Sequence, residues 1–188
     1  MLRASGDDLD RLVAALDDFA ERSPDRMLRA MSRAGDDLIR EGFDRSRAPS
    51  GVAWKPLVGT AIHSWIEQAI TRIPWDADTP RWLTEHKVPV GEIDGQPIVG
   101  TCDLFDALTG TVVDWKSVGT KRAVDDKRRA GASETQQIQA QLYGLGWRNL
   151  GFEVSNVAIV FLARNGNWED RYVWTQPFDE DRARAAMA

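Results

Sequence analysis

The sequence predicts an α/β (α+β) domain preceded by a helical appendage. Two observations carry this reading. From Gly59 onward, apolar residues recur at helical and then at strand spacing, in the order helix, three strands, helix, two strands, helix. Turn residues fall between the strands: Asp94-Gly95, Thr109-Gly110 and Arg164-Asn165-Gly166. A third observation separates the appendage. Residues 1–57 show two short helical patterns and then the linker signal Ala48-Pro49-Ser50-Gly51. The expected division is therefore 1–57 and 58–188.

In the appendage, Leu9, Leu12, Val13, Leu16, Phe19 and Ala20 form one apolar stripe over residues 7–22. Ser23-Pro24 suits a cap and the first turn of a second helix, which reaches about Arg45 with Met27, Met31, Leu38 and Phe43 on one side. Two helices this short make an appendage or half an interface. Beyond them, a helix is expected over Thr60–Thr71, and Pro74 and Pro80 bound an irregular stretch. Strands are expected near 84–92, 96–105 and 110–118, connected as a meander. A polar stretch containing Gly131 leads into a helix over Ser133–Asn149. Strands over Val154–Ala163 and Trp168–Thr175 follow, and a last helix starts near Asp179.

Bulk composition narrows the function classes. At 43% hydrophobic residues the chain can bury a core, and no apolar run nears the ~18 residues of a membrane span. The first eight residues hold no apolar stretch of the secretion-signal kind, so a cytoplasmic location and no membrane partner are expected. Cys102 is the one cysteine, which excludes an internal disulfide and a cysteine-held zinc or iron–sulfur site within one chain. A formal charge of -5 argues against a nonspecific nucleic-acid coat. An enzyme acting on DNA stays open, because a metal site itself needs clustered carboxylates.

The chemistry-bearing segment is Asp114-Trp115-Lys116 on the third strand. Alternation puts Asp114 and Lys116 on one face and Trp115 on the other. The preceding strand carries Asp103, within pairing reach of Asp114 if the two strands form a hairpin. Both carboxylates stand among Val, Leu and Phe, where they cost several kcal/mol unless a cation or proton offsets their charge. A metal ion answers this, and so does an ordinary buried ion pair with Lys116. His63 and Glu67 share a face of the helix before the sheet, and Gln139 and Tyr143 share one on the helix after it. Lys121, Arg122, Arg128 and Arg129 just beyond the third strand form either a phosphate-gripping loop or a solvated one diluted by Asp125 and Asp126. The eight tryptophans are scattered, which suits packing more than a run of base-stacking platforms.

Taken in order, Gly59-Thr60-Ala61-Ile62-His63 with Glu67, Gly100-Thr101-Cys102-Asp103, Asp114-Trp115-Lys116, and Gln139 with Tyr143 resemble the RecB-like branch of the PD-(D/E)xK nucleases over about 59–163. The resemblance implies a restriction-endonuclease-like core with a mixed central sheet flanked by helices. It implies a divalent-metal-dependent deoxyribonuclease, an exonuclease in type, with DNA as partner. Magnesium or manganese would be held by His63, Asp103, Asp114 and the carbonyl of Trp115. Lys116 would orient or deprotonate the attacking water, and Gln139 and Tyr143 would contact the DNA backbone. No iron–sulfur cluster is expected, since the cysteines that carry one in several relatives are absent. Residues 43–57, with Pro49-x-Gly51-x-x-Trp54-x-Pro56-Leu57, resemble phage virion-morphogenesis (tail-completion) proteins. This second resemblance implies a phage or phage-derived chain, in the host cytoplasm or on the virion, whose residues 1–57 bind a protein partner, a phage structural protein or a second copy. The competing expectation is an assembly protein that keeps a nuclease fold only as scaffold.

Overall fold

The computed structural model describes residues 54–73 and 80–188, with side chains from Gly59 onward. The two expected N-terminal helices and the linker at Ala48–Gly51 lie outside the described residues. What is described falls into two compact units that divide at Pro74.

The described residues of the first unit form one helix, α1 (Trp54–Ile70). It begins before the expected Thr60 and so crosses the expected boundary at 57/58. Pro56 does not stop it. In the first turn no intrahelical partner awaits its missing N–H. Ala61, Trp65, Ile66, Ala69 and Ile70 are buried, at the spacing of one helix face. The helix tightens at its end, with Arg72 and Ile73 donating to the carbonyls three residues back.

The second unit is built on a five-stranded mixed sheet, ordered as in the chain: β1 (Trp82–Ile93), β2 (Gln96–Asp106), β3 (Thr111–Val118), β4 (Asn156–Ala163) and β5 (Tyr172–Pro177). Asp94 and Gly95 both take positive φ, 50° and 75°, which gives the two-residue turn whose twist matches its strands. Neighbouring strands are antiparallel except β3 and β4, which run parallel. A parallel pair needs a crossover, and here it consists of α2 (Lys121–Ala130) and α3 (Glu134–Asn149). A short helix, α4 (Glu180–Ala185), follows β5.

Helix α2 corrects the expected polar loop. The segment KRAVDDKRRA offers a single buried apolar residue, Val124, and so has almost no stripe to read. Its ends nevertheless carry helix signals. The Thr120 side chain accepts from the N–H of Ala123, Gly131 closes the end at φ 79°, and three basic residues fill the last turn. The fifth strand also starts later than expected, because Trp168–Asp170 form a 3-10 turn after the cap residue Asn167.

One sheet face packs on the three helices. Val88, Val90, Phe105, Val112, Val157, Ile159 and Phe161 join Val124, Ala140, Leu145, Trp147 and Ala183 in one core. Trp147, fully buried, stacks on Phe105 at 4.4 Å and meets Phe152 edge-on at 5.0 Å. Helix α3 sits close to β1 because residue 146 is glycine; a Cβ there would fall 2.6 Å from that of Val88. Residues of the opposite face, Leu104, Val113, Trp115, Ala158, Val160 and Leu162, are buried too. Strands β3 and β4 therefore read as nearly unbroken apolar runs, as central parallel strands do. At the start of β1, Arg81 holds Asp106 through two hydrogen bonds of 2.9 and 2.8 Å. No helix among the described residues is long and apolar enough to cross a membrane.

Candidate active site

The site lies where β2 parts from β3. Backbone pairing between them covers Asp106↔Thr111, Phe105↔Val112 and Leu104↔Val113. Continued by one residue, that register would set Asp103 across from Asp114. Instead β2 stays with β1 as far as the Ile93↔Gln96 pair. The N–H of Trp115, left without a β2 carbonyl, donates to Asp103 Oδ2 at 2.8 Å. A side chain thus ends the ladder, and Asp103 and Asp114 line the fork it leaves.

Asp114 and Lys116 share the face that carries α3. Asp114 is only 2% exposed. The Lys116 ammonium lies 3.0 Å from its Oδ1 and 2.9 Å from its Oδ2. Lys116 thus offsets the charge of this buried carboxylate. The ammonium also donates to Gln139 Oε1 at 2.9 Å, and Gln139 Nε2 donates to Tyr143 Oη at 2.8 Å. Both come from α3, one turn apart. Its register is anchored by a capping box between Ser133 and Gln136 and by the close approach at Gly146. Four side chains form one chain: carboxylate, ammonium, amide, phenol. Burial pushes the Tyr143 phenol up to about 12; the donor from Gln139 opposes this, while the negative charges of Asp114 and Asp103 add to it.

Glu85, which no sequence pattern singled out, belongs to this region. It lies on β1 between the pairs Thr84↔Leu104 and His86↔Cys102, hence opposite Asp103, and a carboxylate oxygen of each lies within 4.8 Å of the other. Its φ of 47° is unusual for a non-glycine residue inside a strand. Neither the polar run Thr84-Glu85-His86-Lys87 nor its spacing announces this. Asp103, Asp114 and Glu85 bring carboxylate oxygens, the ligand type a hard divalent cation takes.

The remaining expected site residues are carried by two helices. His63 and Glu67 are on α1, in the first unit, both partly buried. Lys121, Arg122, Arg128 and Arg129 lie on helix α2, not on a loop, and two of them, Lys121 and Arg128, are engaged with other parts of the fold. Lys121 pairs with Asp170 at 2.6 Å, which raises the lysine pKa and lowers that of the aspartate. Arg128 pairs with Asp125, donates to the carbonyl of Arg171 at 3.1 Å and lies over the Tyr172 ring. Arg129 stands 3.6 Å from Asp126 and is largely exposed. These contacts tie α2 to the turn before β5. Arg122 points to solvent on the same helix.

Cys102 is buried beside the fork, its thiol pushed up to about 12 by desolvation. Trp65, Trp115 and Trp147 are buried. Comparison with protein-family models, with curated proteins and with solved structures finds no match.

Proposed function

We propose that this chain is a divalent-metal-dependent deoxyribonuclease with a restriction-endonuclease-like core, of the RecB-like PD-(D/E)xK kind. One observation carries the reading: Asp103, Asp114, Lys116, Gln139 and Tyr143, picked out by their order along the sequence, come together at one fork in the sheet. Nothing in the packing of a sheet on helices calls for that convergence.

Asp103, Asp114, the Trp115 carbonyl and His63 would hold magnesium or manganese, with Glu85 beside Asp103. Such a cation supplies charge neutralisation at a phosphoryl group and a nucleophile at neutral pH. The side chains of the chain do the rest. Lys116 is the proton-bearing group nearest the carboxylates, held by Asp114 and Gln139 so that its ammonium stays at the fork. There it can orient a water for attack on phosphorus or, once it has given up a proton and stands as the neutral amine, take one from that water. Gln139 and Tyr143 extend the polar surface along α3, in reach of a phosphate backbone. The exposed Arg122 and Arg129 offer weaker, salt-sensitive attraction for DNA.

The test is degradation of linear and circular DNA with manganese, with magnesium and with EDTA, for the wild type and Asp114→Asn. Metal-dependent degradation that the variant lacks supports the proposal; equal degradation by both, or activity in EDTA, removes it. A second reading is favoured by the Lys116–Asp114 pair itself, which offsets the charge of the buried carboxylate without a metal ion. On that reading the fold is a scaffold in a phage assembly protein, and no DNA is cleaved under any of these conditions. A protein partner for residues 1–57 belongs to both readings.

A further inference from the structure

Gly100 stands three residues before Asp103, on the arm of β2 that has left β3. A Cβ built on it would lie 2.7 Å from Tyr143 Cε1 and 3.0 Å from Cδ1, with Val90 Cγ2 at 3.7 Å. The first distance is below any contact a real Cβ makes. The obstacle is an aromatic ring, which cannot bend away as an alkyl chain can. The ring therefore lies in a slot that exists because residue 100 has no side chain. Its φ lies outside the left-handed region, so the backbone does not ask for glycine there.

What the slot fixes is the place of an amide. Tyr143 Oη accepts from Gln139 Nε2, and Gln139 Oε1 accepts from the Lys116 ammonium, so the side chain is held between them. Were the amide reversed, its NH2 would face an ammonium, and two donors cannot pair. The ammonium thus sets which way the amide faces, the phenol holds the amide from its other side, and Gly100 sets where the phenol stands. We propose that Gly100 is a positioning residue for the site: through the ring of Tyr143 and the amide of Gln139 it sets the direction of the Lys116 ammonium. This rests on the nuclease reading for its effect on turnover, but not for the linkage itself.

The experiment is a double-mutant cycle of Gly100→Ala and Tyr143→Ala in the full chain, read in two ways. The first reading is the turnover and KM of metal-dependent DNA cleavage. The second is the NMR signal of the Gln139 side-chain NH2, assigned by its loss in Gln139→Glu. Gly100→Ala should lower turnover by about 10-fold to 100-fold, the scale of a small displacement of a catalytic group, with KM little changed. It should also move the Gln139 signal. In the Tyr143→Ala background, where no ring remains to be displaced, the same substitution should cost no further turnover and move the signal no further. Equal effects of Gly100→Ala in both backgrounds would overturn the proposal, as would a Gln139 signal that Gly100→Ala leaves in place. If Gly100→Ala alone fails to fold, recovery of folding on adding Tyr143→Ala upholds the ring contact, and failure to recover overturns it. If the wild type cleaves no DNA, the nuclease reading falls, while the Gln139 signal still decides whether Gly100 acts through Tyr143.

Discussion

Removing the Lys116 ammonium while keeping its aliphatic stem tests how the fork carries its charge. In Lys116→Met the Asp114 carboxylate, whose side chain is 3% exposed, loses contacts at 3.0 and 2.9 Å, and Gln139 Oε1 loses its donor. Charge-assisted hydrogen bonds are each worth about 1.5–3 kcal/mol net, and breaking a buried pair from one side costs about 3–5 kcal/mol. Lys116 is itself 27% exposed, so water screens part of this, and a loss of about 2–4 kcal/mol is expected. The opposite deletion is not symmetric. Asp114→Asn leaves an amide that can still accept, and the ammonium can turn to solvent, so about 1 kcal/mol should be lost. The double variant should be less destabilised than the sum of the two. Urea unfolding in EDTA, followed by the midpoint at constant slope, measures all three. The reasoning fails if Asp114→Asn is the costlier single change, or if Lys116→Met lies within about 0.5 kcal/mol of wild type.

Three further outcomes follow from the geometry. Gly144→Ala puts a Cβ 2.5 Å from the Phe178 ring and should destabilise by about 1–3 kcal/mol in the same urea assay, with wild-type stability as the contrary result. Cys102 is fully buried with its thiol raised to about 12, so a thiol reagent at neutral pH should label it only in denaturant; labelling of the native chain at the rate of a free cysteine contradicts the burial. Asp170 is held below its ordinary value by Lys121. The stability this pair contributes is therefore present above the unfolded carboxylate range and lost as pH falls through the lower folded value. Lys121→Met should flatten that acid limb of a stability–pH profile, and an unchanged limb would count against the pair.

The first four strands were legible to within about two residues where apolar alternation met turn chemistry, as at Asp94-Gly95 between β1 and β2, while the start of β5 was not. Pattern failed where burial is sparse: α2 buries one residue and signals itself only through Thr120 and Gly131. Asp103, Asp114, Lys116, Gln139 and Tyr143 were legible as an ordered set. That Lys116 would take both oxygens of Asp114 was one of two alternatives, and spacing does not decide between an ammonium and a metal. Glu85 was not legible, because its place opposite Asp103 depends on strand register and its φ of 47° on backbone conformation. The separation of β2 from β3 was hidden for a related reason. An alternating pattern says which face a residue takes, not how far a ladder runs.

The hydrogen bond from Trp115 to Asp103 has a consequence for measurement. In a ladder, an amide proton is guarded by another backbone; here it is guarded by a carboxylate that would also meet a bound cation. Anything that draws Asp103 Oδ2 away leaves that proton open to solvent exchange, and anything that pins the carboxylate in place slows the exchange. The Trp115 amide is therefore a gauge built into the chain, one proton whose exchange rate reports the state of the fork without any label or substrate.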